Sequence, residues 1–128
     1  MSKPEAGPPT LPAGTTPEQM DNGLEYFDFR AGKGRAVKGG DRVKVRYHAW
    51  LTDGTLVART PEPLQFVVGE ETVIRALEEG VRGMAAGAGR RLIVPSDLAF
   101  GPEGNGSTIP PYATLIVDVE LLDARPDR

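Results

Sequence analysis

Two long runs of strict alternation constrain this chain more than any other feature. Val43, Val45, Tyr47, Ala49 and Leu51 alternate with Lys44, Arg46, His48 and Trp50; later, Leu115, Val117, Val119 and Leu121 alternate with Ile116, Asp118 and Glu120. Successive side chains of a strand point to opposite faces, so each run predicts a strand with one apolar face to bury. Shorter strands are predicted from Leu24 to Phe29, Leu56 to Arg59, Leu64 to Val68 and Arg90 to Pro95. Asp53-Gly54 reads as the tight turn of a hairpin, and Pro61 and Pro63 interrupt pairing after the return strand. A single helical stripe is available to cover the sheet: Val73, Leu77 and Val81 at four-residue intervals, widened by Ile74 and Met84. Glu70 and Glu71 precede it, where negative charge suits a helix start, and Thr72 can cap it. The pattern predicts an α+β domain, an antiparallel sheet of about five strands with one helix across its apolar face.

Composition removes several functional classes. With 16 Gly and 12 Pro among 128 residues, an all-helical bundle is disfavoured. The absence of cysteine excludes disulfides and thiolate chemistry, and with one histidine a structural zinc site is nearly excluded, so no metal and no cofactor are expected. No apolar run approaches the roughly 20 residues that a membrane-spanning helix needs. The net charge of -3 argues against nucleic acid, although Arg30, Lys33, Arg35, Lys38, Arg42, Lys44 and Arg46 form a basic stretch. That stretch reads as a solvated strand face and turn.

Residues 1–22 read as a flexible Pro/Gly-rich arm, 23–123 as the folded domain and 124–128 as a C-terminal tail. Pro9 and Pro12 in the arm fit a loose P-x-x-P, but a plain linker explains them as well. No apolar leader core follows Met1, so a cytoplasmic location is expected, with an exported chain whose leader has been removed as the alternative. Between the last two strands lies a Gly/Pro-rich segment, Ser96 to Tyr112, of a length that usually serves a function.

Three stretches carry a specific resemblance: Val45 to Gly54 (VRYHAWLTDG), Val73 to Val81 (VIRALEEGV) and Ile109 to Leu115 (IPPYATL), with Pro95 to Gly101 (PSDLAFG) between the last two. In order and spacing they resemble the FKBP-type peptidyl-prolyl isomerases over about residues 23–123. The resemblance implies a curved antiparallel five- or six-stranded sheet wrapped around one short helix. It also implies rotation about Xaa-Pro bonds in unfolded or flexible chains, with no cofactor and a monomer expected. Such rotation faces a barrier of about 18–20 kcal/mol and breaks no bond, so neither nucleophile nor metal is required.

Carried over residue by residue, the resemblance makes Tyr47, Ile74 and Phe100 the catalytic candidates: the Tyr47 hydroxyl and the Ile74 backbone N–H as donors, and Phe100 as a ring where a tyrosine is usual. Phe66, Val73, Leu77, Ile109, Val57, Leu64 and Val117 are the substrate-binding candidates. Departures from the family pattern accompany them. Leu77 replaces a floor tryptophan, Val57-Ala58 replaces a Phe-Asp pair, and Leu64 and Val117 stand where aromatic side chains are common. Glu62 offers a displaced carboxylate. Trp50 and His48 alternate to the face away from Tyr47, and Glu78 and Glu79 diverge too far around a helix to share a substrate. The expected activity is modest prolyl isomerisation assisting protein folding; a catalytically weak peptide-binding or partner-docking module is the alternative.

Overall fold

A computed structural model describes residues 16–20, 23–60, 62–70 and 75–126. It contains strands β1 (Glu18–Gln19), β2 (Glu25–Arg30), β3 (Asp41–Leu51), β4 (Leu56–Arg59), β5 (Leu64–Val67), β6 (Gly89–Val94) and β7 (Leu115–Pro126), and helix α1 (Arg75–Gly80) between β5 and β6. All pairings are antiparallel. The order is β1-β2-β6-β7-β3-β4, with β5 pairing the first half of β3. This is the single-helix antiparallel architecture expected from the alternating runs. The seventh strand is β1, two residues of the N-terminal segment that pair Glu18 with Tyr26 and Gln19 with Glu25.

β3 and β7 form the spine, in register from Asp41 opposite Pro126 to Leu51 opposite Leu115, with one irregularity between Lys44 and Val45. Their inward residues Val43, Val45, Ala49, Leu115, Val117, Val119 and Leu121 are all at most 3% exposed, and Leu24 from the N-terminal side is fully buried with them. The expected hairpin forms: the Leu51 N–H donates to the Thr55 carbonyl at 2.9 Å, and Gly54 adopts φ 92°, a conformation that favours glycine.

The helix is short, and its fit is tight. Ala76 and Leu77 face the sheet, and a Cβ at Gly80 would run into the Leu92 side chain, so the helix end lies directly on β6. Arg90 closes that end. Its guanidinium donates to the carbonyls of Gly80 and Arg82, each at 2.9 Å, pairs with Asp28 at 2.6 Å, and lies 4.4 Å over the Tyr26 ring. A cation here satisfies carbonyls that a helix C-terminus leaves without partners. Thr72, expected to cap the other end, lies outside the described residues with Val73 and Ile74.

Part of the basic stretch finds carboxylates. Arg30 reaches Glu120 at 2.7 Å, and Arg35 reaches the buried Asp41 at 2.8 Å. Asp41 also accepts the Lys38 N–H at 3.0 Å. The hydrogen bond from Arg35 holds the Asp41 carboxyl below the usual carboxylate range, against the opposing effect of burial.

Candidate functional site

On the helix side of the sheet, the walls leave a hollow of about 190 Å³. Its origin is visible in the register. Ala49 stands opposite both Ala58 on β4 and Val117 on β7, so two methyl groups face each other where larger side chains would close the space. Tyr47 from β3, Leu64 from β5, Leu115 and Val117 from β7, and Leu77 from α1 complete the walls and floor. Phe100 and Ile109, from the segment between β6 and β7, form the rim. Ile109 is 3% exposed and Phe100 37%, so one is seated and the other stands at the mouth.

Among the described residues that line the hollow no side chain is charged, and Tyr47 carries the one hydroxyl. The backbone of Tyr47 is fixed on both sides by Thr60, whose hydroxyl accepts the Tyr47 N–H at 3.2 Å and whose N–H donates to the Tyr47 carbonyl at 3.1 Å. No described protein group hydrogen-bonds the Tyr47 hydroxyl, which leaves it available to a guest. The volume is below the roughly 300 Å³ at which sites for drug-sized ligands begin, and suits one ring or side chain.

Of the residues singled out in the sequence, Tyr47, Phe100, Leu77, Ile109, Leu64 and Val117 meet at this hollow. Phe66 does not line it: at 4% exposure it sits deeper in the core, on the strand position opposite Val43. Val57 does not line it either. The register shift between Ala49 and Trp50 leaves Val57 unpaired and turns Ala58 toward the hollow instead. Val73 and Ile74 lie outside the described residues. Glu62 is exposed and does not line the hollow.

Ala49, Ala58 and Leu115 line the hollow without having been candidates for it; Ala58 was named only as a departure from the family pattern. Two of them carried a usable signal: Ala49 is two residues from Tyr47, and Leu115 two from Val117, each on the same strand face. Trp50 and His48 lie on the opposite face as expected, their rings stacked with centroids 5.8 Å apart. Glu78 is buried on α1 and accepts the Gly69 N–H at 3.1 Å, a structural bond away from the hollow. Among the described residues no group of three or more metal-ligating side chains gathers, and no helix is long and apolar enough to cross a membrane.

An open antiparallel sheet and one short helix, with a ring-sized hollow between them that is uncharged among the described residues, define a small α+β domain. Comparison with known proteins gives the family. Residues 33–122 match the model of the FKBP-type peptidyl-prolyl cis-trans isomerases. The chain is 39% identical over 103 residues to an FK506-binding protein of Neisseria meningitidis serogroup B, covering 78% of this chain and 94% of that one. It is 43% identical over 104 residues to FK506-binding protein 4 of Dictyostelium discoideum, covering 80% of this chain but only 29% of that protein's length. Among solved structures, the N-terminal domain of FKBP42 from Arabidopsis thaliana superposes with a TM-score of 0.85 at 26% identity, covering 94% of this chain and 98% of that one. The chain belongs to the FKBP-type peptidyl-prolyl cis-trans isomerase family.

Proposed function

We propose that this domain is a prolyl isomerase of modest turnover that receives the proline ring of Xaa-Pro segments in the hollow beside α1. The observation that carries the reading is the character of that hollow: ring-sized and, among the described residues, uncharged and furnished with one unengaged hydroxyl. A planar amide is more dipolar than a twisted one, so an apolar surround costs the twisted state less than the ground state. A donor fixed beside the substrate carbonyl acts in the same direction. Tyr47 supplies one such donor from β3; the family resemblance assigns a second to the backbone N–H of Ile74. Leu64, Leu77, Ile109 and Val117 exclude water from the ring, and Phe100 covers the mouth.

The modest turnover follows from two replacements. Leu77 gives the floor less flat contact than a tryptophan would, and Ala58 stands where the family pattern has a carboxylate. The same two residues favour the second reading, a peptide-holding or partner-docking module that does not catalyse. Assistance to folding chains follows from either, since both bind exposed proline segments. The described lining of the hollow comes from one chain, which is consistent with a monomer, and we assign the chain to the cytoplasm, with an exported form as the alternative; gel filtration and cell fractionation test those two points.

Exchange NMR on a short Ala-Leu-Pro-Phe peptide with substoichiometric protein separates the readings. Isomerisation broadens the cis and trans proline resonances; binding alone shifts resonances near Tyr47 without exchange between them. Tyr47→Phe is expected to lower kcat/KM about fivefold, the worth of one neutral hydrogen bond, and to leave stability unchanged because the hydroxyl has no described protein partner. Unchanged turnover in that variant places the donor elsewhere.

A further inference from the structure

The segment between β6 and β7 carries Ile109 into the hollow, yet the tip that delivers it has almost nothing apolar to hold it. Gly101, Gly104 and Gly106 all adopt positive φ there, and Pro102, Glu103, Asn105, Ser107 and Thr108 are exposed. What organises the tip is one side chain. The Asn105 Oδ1 accepts the N–H of Ser107 at 2.9 Å and the N–H of Ile109 at 2.8 Å. Its Nδ2 donates to the Thr108 Oγ1 at 3.2 Å, and its own backbone N–H donates to the Ile109 carbonyl at 3.0 Å. Both backbone polar groups of Ile109 therefore end on Asn105. Gly104 lets the turn close this tightly, since a Cβ there would strike the Ile109 carbonyl oxygen.

We infer that Asn105 is a positioning residue: its side-chain amide presets the backbone of Ile109, so that the rim of the hollow is formed before a prolyl ring arrives. This rests on the isomerase reading above. Asn105 is exposed and its side-chain hydrogen bonds end on Ser107, Thr108 and Ile109, so these bonds serve the loop's shape and not the fold at large. Without the amide, the free loop samples other shapes and must be ordered on binding. That cost falls equally on the bound ground state and the twisted state, so it raises KM and leaves kcat in place. A carboxylate keeps an acceptor for both N–H groups, so Asn105→Asp retains the device and Asn105→Ala removes it.

The test is exchange NMR with the Ala-Leu-Pro-Phe peptide over a range of peptide concentrations, on the full chain and on N105A and N105D. N105A is expected to raise KM about five- to tenfold with kcat within about twofold of the parent, and N105D to stay close to the parent in both. A merely structural role would lower the melting temperature and the active fraction, reducing apparent kcat at constant KM. An unchanged KM in N105A, or equal impairment in N105D, overturns the proposal. If the parent shows no exchange at all, the isomerase reading fails by itself, and the peptide Kd from chemical shifts then decides about Asn105. A Kd weakened in N105A and kept in N105D supports the preset rim; equal Kd values in all three overturn it.

Discussion

Along β3, Tyr47 and Ala49 face the hollow, while His48 and Trp50 face a second depression of about 280 Å³ on the far side of the sheet. The far-side depression is lined by Phe29, Arg46, His48, Trp50, Asp118 and Glu120, and its carboxylates are already engaged: Asp118 by Arg91 at 2.6 and 2.9 Å, Glu120 by Arg30 at 2.7 Å. One strand thus borders two depressions of opposite chemistry, one residue out of phase. The first, among its described residues, has a hydroxyl to spare and no charge. The second has charge and spends it on its own neighbours. A site for a neutral guest needs the former, because an apolar wall asks for no compensating bonds when water leaves.

The comparison breaks most sharply if the far side is left with one charge. Asp118→Ala strands Arg91, whose side chain is 8% exposed, without its bidentate partner. Removing one member of such a pair typically costs about 3–5 kcal/mol, read as a lower urea midpoint. Turnover per folded molecule on the peptide is expected to stay unchanged, since neither residue lines the hollow. A loss of kcat/KM beyond the loss of folded protein would show that the two faces are coupled through β3 and β7. Adding Arg91→Met to Asp118→Ala is expected to recover most of the stability, because an apolar chain of similar length needs no partner there.

The helix-side face is uncharged only where the hollow is, and Asp41 sharpens that point. It opens β3 six residues before Tyr47, is buried, and is held ionised by the hydrogen bond from Arg35. Its carboxyl titrates lower in the folded chain than in the unfolded one, where about 3.9 is usual. The folded state therefore gains stability from Asp41 above about pH 4 and loses it as the pH falls through the depressed folded value. Urea midpoints from pH 7 to pH 2 check this. The advantage of the parent over Asp41→Asn is expected to be full at neutral pH and to shrink as the pH falls below about 4; an advantage independent of pH would mean that shape and not charge holds the Arg35 contact.

How much of this was legible depends on the range of the contacts. The spine was readable because its signal is local: alternation placed Val45, Leu121 and Val119 in the core, and Asp53-Gly54 marked the turn. Six residues that meet at the hollow were readable from the family resemblance. The exchange of Val57 for Ala58 was not, because it follows from a register shift between β3 and β4 that no local pattern encodes. Nor was the burial of Arg90 and Arg91: their carboxylates lie 62 and 27 residues away in the chain, so nothing in the local sequence marks two adjacent arginines of a strand as buried. β1 escaped for another reason. It is two residues of polar sequence held by backbone bonds at a sheet edge, where side-chain periodicity has nothing to report.

The smallest effect concerns the mouth of the hollow, where the end of the long segment returns to Gly101. The Tyr112 N–H donates to the Gly101 carbonyl at 2.9 Å, next to Phe100, and this bond is made with Tyr112 at φ 58°. Among the described residues it is the one non-glycine with positive φ, and its ring is 73% exposed, so packing does not offset the strain. The left-handed region costs an L-residue roughly 1 kcal/mol, and asparagine tolerates it better than a bulky side chain does. Tyr112→Asn is therefore expected to stabilise the domain by about 0.5–1 kcal/mol, read in urea, with the Tyr112–Gly101 bond kept. The sign of the accompanying change in peptide KM separates two roles for the ring. An unchanged KM makes the tyrosine a bystander at a turn whose only duty is the backbone bond; a KM raised despite the gain in stability makes the exposed ring part of the surface that a chain flanking the proline touches.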